Sequence, residues 1–290
     1  MRAEQARIEQ ARIEQGDFDM DDRDFARVCQ LIYARAGIAL NDTKRKMVYG
    51  RLGRRLRVLG LTHFGDYLDA LEAKNDPLEW DEFTNALTTN LTSFFREQHH
   101  FPVLAALIRR AAARGSITLW CSASSTGEEP YSIAMTAIDA LGKQASKVRI
   151  LATDIDTKVL EAAQSGIYPM ERLERLPPEF EKRFFLKGSG AQSGMARVRP
   201  EVRDMITFRQ LNLLHDKWPV RGPLDALFCR NVMIYFDKPT QRRILERFHP
   251  LLRPDALLFM GHSESLHHVA DLFQLNGKTV YQPIAGTGHG

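Results

Sequence analysis

Along residues 20–88 the apolar side chains recur at helical spacing, and past about residue 100 they gather into short runs separated by helical stretches. Asp21 or Asp22 stands ahead of Phe25, Val28 and Ile32, and Gly37 follows, which predicts a capped helix with a glycine stop. Asn41 or Asp42 precedes a second helix whose stripe is Val48, Leu52, Leu56 and Leu59, ending at Gly60. Thr62 starts a third helix with Phe64, Tyr67, Leu68 and Leu71, and Asp76-Pro77 opens a fourth with Phe83 and Leu87. Beyond residue 100, strands are predicted at 117–121, 148–153, 206–210, 225–229, 256–260 and near 279–282, with a helix over 130–141 behind the first. That alternation predicts an α/β domain with a doubly wound, mostly parallel sheet covered by helices. Between residues 179 and 207 the rhythm breaks. The turn-rich Lys187-Gly188-Ser189-Gly190 and Gly194 lead into the alternating Met195-Ala196-Arg197-Val198-Arg199, so a small antiparallel insertion is expected at about 180–207.

Composition narrows the class. Of 290 residues, 44% are hydrophobic and 26% charged, an ordinary globular balance, and no apolar run approaches the roughly 18 residues that a membrane span needs. The opening Met1-Arg2-Ala3-Glu4-Gln5 has no apolar stretch behind it, so no secretory signal is expected. Cys29, Cys121 and Cys229 are far apart with no C-x-x-C, which argues against a disulfide scaffold or zinc site and fits a reducing cytosol. Residues 1–17 repeat Gln-Ala-Arg-Ile-Glu with little to bury and read as a tail, as do residues 285–290. The formal net charge is only +4, yet residues 27–62 carry nine Lys/Arg against the single acid Asp42, and residues 63–95 carry seven acids against Lys74. The basic block, with Arg51, Arg54 and Arg55 on the second helix, is either a docking face for an acidic partner or a solvated helix face.

In open parallel sheets ligands bind beyond the carboxyl ends of the strands. The loop Ser122-Ala123-Ser124-Ser125-Thr126-Gly127-Glu128-Glu129-Pro130 has small residues but one glycine, and its two acids at a helix N-terminus would repel pyrophosphate. They would welcome a sulfonium or ammonium; the plainer reading is that they complement the helix dipole. Asp154, at the end of the second strand, stands where nucleoside-binding sheets hold ribose hydroxyls, while Asp156 competes as a helix cap. Asn212-Leu213 suits an adenine edge and face, and Cys229-Arg230-Asn231 forms a fourth loop. Acid-tipped loops without a phosphate cradle point to S-adenosylmethionine rather than a dinucleotide.

Three long motifs carry a family resemblance: residues 86–97 (Ala-Leu-Thr-Thr-Asn-Leu-Thr-Ser-Phe-Phe-Arg-Glu), 125–132 (Ser-Thr-Gly-Glu-Glu-Pro-Tyr-Ser) and 229–236 (Cys-Arg-Asn-Val-Met-Ile-Tyr-Phe). Together with Gly261-His262-Ser263-Glu264 they resemble the chemotaxis receptor glutamate methyltransferases, the CheR family, from about Phe18 to Tyr281. The resemblance implies a class I S-adenosylmethionine-dependent methyltransferase domain over 101–284, a helical N-terminal domain over 18–88, and a linker helix over 89–100. It implies methyl transfer from S-adenosyl-L-methionine to receptor glutamates, with S-adenosyl-L-homocysteine as product, by a cytoplasmic enzyme recruited to receptor arrays. Matched motif by motif, Asn90, Thr92 and Arg96 would close over the cofactor, Glu129 would meet its methionine end, Asp154 the ribose, and Asn212-Leu213 the adenine. Arg230, Asn231 and Tyr235 would line the reaction pocket, Arg96 holding the substrate carboxylate and Tyr235 shaping the methyl path.

The family's partners are the glutamate-rich cytoplasmic helices of membrane receptors, so Arg51, Arg54 and Arg55 become a docking face. Gly188, Gly190, Gly194 and Arg197 resemble the part of the family that grips a receptor's C-terminal peptide by extending a small sheet; otherwise they form a surface hairpin. No metal is expected, because adjacent pairs such as His99-His100 and His267-His268 point about 100° apart on a helix. Nucleic-acid methylation is the competing enzyme reading, but the chain has no Asn/Asp-Pro-Pro-Tyr and no cysteine after proline. A cofactor-sensing module without turnover is the third reading; intact Arg96 and Tyr235 count against it.

Overall fold

The contacts of the chain divide it into two units, Met1–Thr89 and Asn90–Gly290. A computed structural model describes residues 18–174 and 176–284; the expected tails at 1–17 and 285–290 lie outside the described residues.

The described part of the first unit holds four helices, α1 Asp22–Ala36, α2 Arg45–Leu59, α3 Phe64–Lys74 and α4 Pro77–Leu87. Asp21 and Asp24 close a reciprocal capping box at the start of α1, and Gly37 ends it at φ 69°. Asp76 accepts from the Leu78 amide at 3.0 Å at the head of α4, with Pro77 behind it. The expected cap on α2 does not form: a 3-10 turn, Asp42–Lys44, enters the helix, and the Asn41 carboxamide takes the Thr43 hydroxyl at 2.5 Å instead. Phe25, Val28 and Ile32 of α1, Val48, Leu52 and Leu56 of α2, Tyr67 and Leu71 of α3, and Phe83 and Leu87 of α4 are buried, as their spacing requires, whereas Leu59, the last position of the expected α2 stripe, is exposed in the helix's final turn.

The second unit begins with helix α5, His100–Ala111. It continues with strand β1 (Ile117–Cys121), helix α6 (Glu128–Leu141), strand β2 (Val148–Asp154) and helix α7 (Thr157–Ser165). Next come β3 (Ile167–Pro169), α8 (Pro178–Phe184), β4 (Phe185–Lys187), β5 (Met195–Val198) and α9 (Pro200–Arg203). The remainder is β6 (Ile206–Gln210), β7 (Leu224–Cys229), α10 (Lys238–Phe248), β8 (Leu252–Met260), β9 (Phe273–Leu275) and β10 (Val280–Pro283). The main sheet has seven strands in the order β6-β2-β1-β7-β8-β10-β9. Its first five strands are parallel, and β10 and β9 are antiparallel to their neighbours. Both faces are covered, so the period-two alternation feeds two clusters. Leu119, Cys121, Ile150, Phe228 and Phe259 belong to one, while Trp120, Leu227, Cys229, Leu258 and Met260 belong to the other.

Chain order runs β1-β2 towards one edge and returns at β7 on the other side of β1. The crevice beyond β1 and β7 is therefore the topological switch point, where open α/β sheets bind ligands.

Two expectations need correction here, and one strand was not expected. Of the linker helix expected over 89–100, residues 89–99 are not helical: Phe95 and Glu97 take left-handed backbones at φ 51° and 56°. The Phe95 amide donates to Ser132 Oγ at 2.9 Å, and the Thr92 and Arg96 carbonyls accept from Arg172 and Arg230. Tertiary partners replace the i→i−4 ladder there. The antiparallel insertion starts earlier than residue 180, because β3 pairs with β5 in a three-stranded sheet ordered β3-β5-β4. A three-residue strand ending in proline carries too little alternation to be read in advance. Strand β9 escaped notice for the same lack of length.

Candidate active site

Strand β1 delivers its chain into a loop whose geometry is tightly set. Ser125 has φ 47° and Gly127 φ 99°. A Cβ on Gly127 would lie 2.8 Å from the Tyr168 hydroxyl and 2.9 Å from Ala163 Cβ, so glycine is required both by conformation and by space. The two acids that follow separate at once. Glu128 accepts from Thr126 Oγ1 at 2.6 Å and pairs with Arg172 at 3.3 Å, so it is used locally. Glu129, also buried, faces the switch point, where Cys121 Sγ donates to its Oε1 at 3.2 Å and Arg230 Nη1 to its Oε2 at 2.5 Å.

Arg230 leaves the tip of β7 with its side chain only 1% exposed. Its Nη2 donates to the Arg96 carbonyl at 2.5 Å and lies 3.6 Å from Glu97 Oε2. Glu97 Oε1 accepts from both the backbone and Nδ1 of His262, at 3.1 and 3.0 Å. Burial pushes Glu129 above its ordinary range against the pull of Arg230. Burial also raises Glu97, but the His262 donors and the Arg230 charge outweigh it and hold that carboxyl below its ordinary range. Burial pushes the Cys121 thiol up, so it stays a protonated donor. The result is a buried guanidinium between two carboxylates.

A second carboxylate fastens the neighbouring loops. Glu264 accepts from the amides of Asn231, Met233 and Gly261 at 2.9, 2.8 and 2.6 Å. Asn231 is held at φ 59°, and a Cβ on Gly261 would fall 2.4 Å from its Nδ2. Tyr235, half-buried, ends the 3-10 turn Met233–Tyr235 beside the exposed Ile234.

At the tip of β2, Asp154 accepts from the Ser125 amide at 2.8 Å and the Asp156 amide at 3.0 Å. Burial pushes it up to about 6 in spite of those donors. Asp156 caps α7 through the Lys158 and Val159 amides, and its other oxygen takes Asn90 Nδ2 at 2.7 Å. Asn90 therefore reaches the switch point, anchored also by Ser125 Oγ on its carbonyl at 3.1 Å. Asn212 Oδ1 accepts from the Leu214 amide at 2.9 Å, and Leu213 is buried beside it. Arg96, half-buried, sends Nη1 to the Leu91 carbonyl at 2.9 Å.

Arg96, Glu129 and Arg230 are thus linked in one network, and Asn90 and Asp154 in a second through Ser125 and Asp156. Glu97, Ser125, His262 and Glu264 were not anticipated. All four lie inside the motifs, but only their contacts give them work. Among the described residues Glu97, His99 and His100 bring one metal-capable set of atoms within 4.8 Å. The Glu97 carboxylate there already serves Arg230 and His262, and His100 Nε2 bonds the Thr279 hydroxyl at 2.8 Å.

The three arginines of the basic helix α2 differ in their contacts. Arg51 Nη1 donates to the Thr88 carbonyl at 2.5 Å, closing the end of α4. Arg55 makes a two-pronged pair with Glu79, with Nε–Oε1 at 2.9 Å, and lies 3.8 Å from Glu82. Arg54 is exposed. On the insertion, Gly188 is packed under Gln192, whose carbonyl would sit 2.0 Å from a Cβ, and Gly190 and Gly194 take φ 58° and 83°. Arg197 is exposed on the central strand β5, in register with Ile167 and Leu186.

Buried carboxylates at the tips of β1 and β2, with an acidic helix N-terminus in place of a phosphate cradle, suit a nucleoside with a cationic end. Among the described residues no helix is long and apolar enough to cross a membrane. The pattern described as "CheR methyltransferase, all-alpha domain" matches residues 23–88, and "CheR methyltransferase, SAM binding domain" matches residues 90–282. The chain is 55% identical over 262 residues to the "Chemotaxis protein methyltransferase" of Salmonella typhimurium, covering 90% of both chains. Against the protein of the same name from Escherichia coli it is 55% identical over 262 residues, covering 90% of this chain and 91% of the other. Against "Chemotaxis protein methyltransferase 2" of Pseudomonas aeruginosa it is 53% identical over 261 residues, covering 90% and 92%.

Proposed function

The chain belongs to the CheR methyltransferase family, with a domain that binds S-adenosylmethionine, and from that premise we propose that it methylates glutamate side chains on the cytoplasmic helices of chemotaxis receptors. The observation that carries the reading is the Glu129–Arg230 pair at the switch point, tied by the Arg96 carbonyl to the segment that bears Arg96. Glu129 would hold the cofactor's ammonium end, Asp154 its ribose hydroxyls, and Asn212-Leu213 its adenine. When bound, the cofactor supplies a methyl group on a sulfonium, and the products are a glutamate methyl ester and the neutral thioether S-adenosylhomocysteine.

The residues of the chain have little proton work to do. A receptor glutamate has an unperturbed pKa of about 4.3 and is ionised at neutral pH, so a general base is not required. Catalysis rests on bringing the carboxylate into line with the methyl group, a task of proximity and orientation. Arg96 is assigned to the carboxylate, because its planar fork fixes both oxygens. Tyr235 is assigned to the wall of the methyl path.

Recognition of the receptor is assigned to two surfaces. Arg54, rather than Arg51 and Arg55, carries the basic helix's attraction for acidic receptor helices, since the other two serve their own unit. In the insertion, β5 is already paired on both sides, so an added peptide strand must lie along an edge. Pro169 removes a donor from the β3 edge, which favours β4. Arg197 would then face the peptide's acidic group.

The deciding experiment incubates the purified protein with methyl-labelled S-adenosylmethionine and receptor-bearing membranes, with RNA and DNA in parallel. Base-labile label on receptor is expected. Base-stable label on nucleic acid, or cofactor binding with no transfer to any acceptor, would replace this reading.

A further inference from the structure

Glu97 stands one residue beyond Arg96, ahead of α5, and its carboxylate gathers side chains from three other parts of the unit. His262, from the loop after β8, donates twice to Oε1; Arg230, from the tip of β7, lies 3.6 Å from Oε2; His100 Nδ1, from α5, lies 3.9 Å from the same oxygen. Arg230 Nη2, the atom facing Glu97, is also the donor to the Arg96 carbonyl at 2.5 Å. Arg96 is flanked by two left-handed residues, Phe95 at φ 51° and Glu97 at φ 56°. Non-glycine residues keep such backbones only where the surroundings over-determine them.

Charge balance does not explain the second carboxylate. Glu129 already pairs with Arg230 at 2.5 Å, and Glu97 brings a second carboxylate to within 3.6 Å of the same guanidinium. Its placement does explain how the strained backbone at Arg96 is held. We propose that Glu97 is a positioning residue: it clamps Arg230 against the Arg96 carbonyl and so sets the direction in which the Arg96 side chain leaves the main chain. The kinetic consequence rests on the methyl-transfer reading above; the structural consequence does not.

Two readouts on Glu97→Gln separate the two. Gln keeps the size and an acceptor for His262 but loses the charge that faces Arg230. Hydrogen exchange needs no substrate: the Phe95 amide, bonded to Ser132, and the Arg96 amide, bonded to the Ser93 carbonyl, should exchange about tenfold faster in the variant. Unchanged protection overturns the proposal whatever the enzyme methylates. In receptor methylation, kcat should fall by about tenfold or more, as displacement of a positioned group does, with cofactor affinity within about threefold of wild type. Arg96→Lys with Glu97→Gln should be no slower than Arg96→Lys alone, because one residue acts through the other. Unchanged kcat, multiplicative losses in the double variant, or a cofactor affinity that falls as far as kcat would each overturn it. A wild-type protein that transfers no methyl to receptors would overturn the proposed function, with the exchange readout still deciding the role of Glu97. Should Glu97→Gln fail to fold, Glu97→Asp, which keeps the charge but retracts it by one methylene, is read by the same outcomes.

Discussion

Arg230→Met should destabilise the second unit by about 3–5 kcal/mol near pH 8, the usual cost of removing one partner from a buried charge pair. The structure supports the upper part of that range. Arg230 makes two charge-assisted bonds at 2.5 Å, to Glu129 Oε2 and to the Arg96 carbonyl, each of a kind worth about 1.5–3 kcal/mol. Met keeps most of the side-chain volume, so the loss reports charge rather than a cavity. The loss should also depend on pH in one direction. Burial already holds Glu129 above its ordinary value, and removing Arg230 lifts it further; Glu97 also loses a stabilising charge. A carboxyl whose folded pKa is raised penalises folding above its unfolded value of about 4.3, and the penalty fades as pH falls towards that value. The variant should therefore recover about 1–2 kcal/mol relative to wild type between pH 8 and pH 5. Urea unfolding of both proteins at the two pH values measures this directly. A loss under about 1 kcal/mol at pH 8, or one that grows on acidification, would refute the buried network as drawn.

Arg96→Lys should lower turnover more than tenfold, by about 1.4 kcal/mol or more, while calorimetry finds cofactor affinity changed far less, because Lys keeps the charge but loses the fork. Asp154→Ala should weaken both S-adenosylmethionine and S-adenosylhomocysteine by about 1.5–3 kcal/mol, and wild-type affinity should fall as pH drops below about 6, where Asp154 protonates; calorimetry at pH 5 and pH 8 checks both. Gly127→Ala should cost at least about 1–3 kcal/mol in thermal or urea unfolding, since a side chain is strained at φ 99° and its Cβ meets Tyr168 and Ala163. Arg197→Glu should abolish binding of a receptor C-terminal peptide while sparing cofactor binding, and Arg54→Glu should weaken methylation most at low salt while leaving the peptide bound. Titration by fluorescence anisotropy and methylation across a salt series distinguish them.

What the sequence determined alone is what depends on neighbours along the chain. The 3.6-residue stripes of α1 to α4 and the strands at the switch point follow from local periodicity, because burying one face is a property of spacing. Caps made by one residue for the next turn, such as Asp21, Asp76 and Asp156, follow too. The motifs gathered Arg96, Glu129, Asp154 and Arg230 because chain order delivers their loops to one end of a parallel sheet. Tertiary structure decided whatever depends on a partner distant in sequence. Adjacent acids on α6 point in different directions, so only packing assigned Glu128 to Arg172 and Glu129 to Arg230. Residues 89–99 gave up a helix because Ser132, Arg172 and Arg230 offer their backbone groups bonds that a helix would otherwise supply. Arg51 and Arg55 look like their neighbour Arg54 in the sequence, yet the end of α4 and Glu79 engage them, leaving Arg54 facing solvent. A charge is legible in a sequence; its partner is a fact of folding.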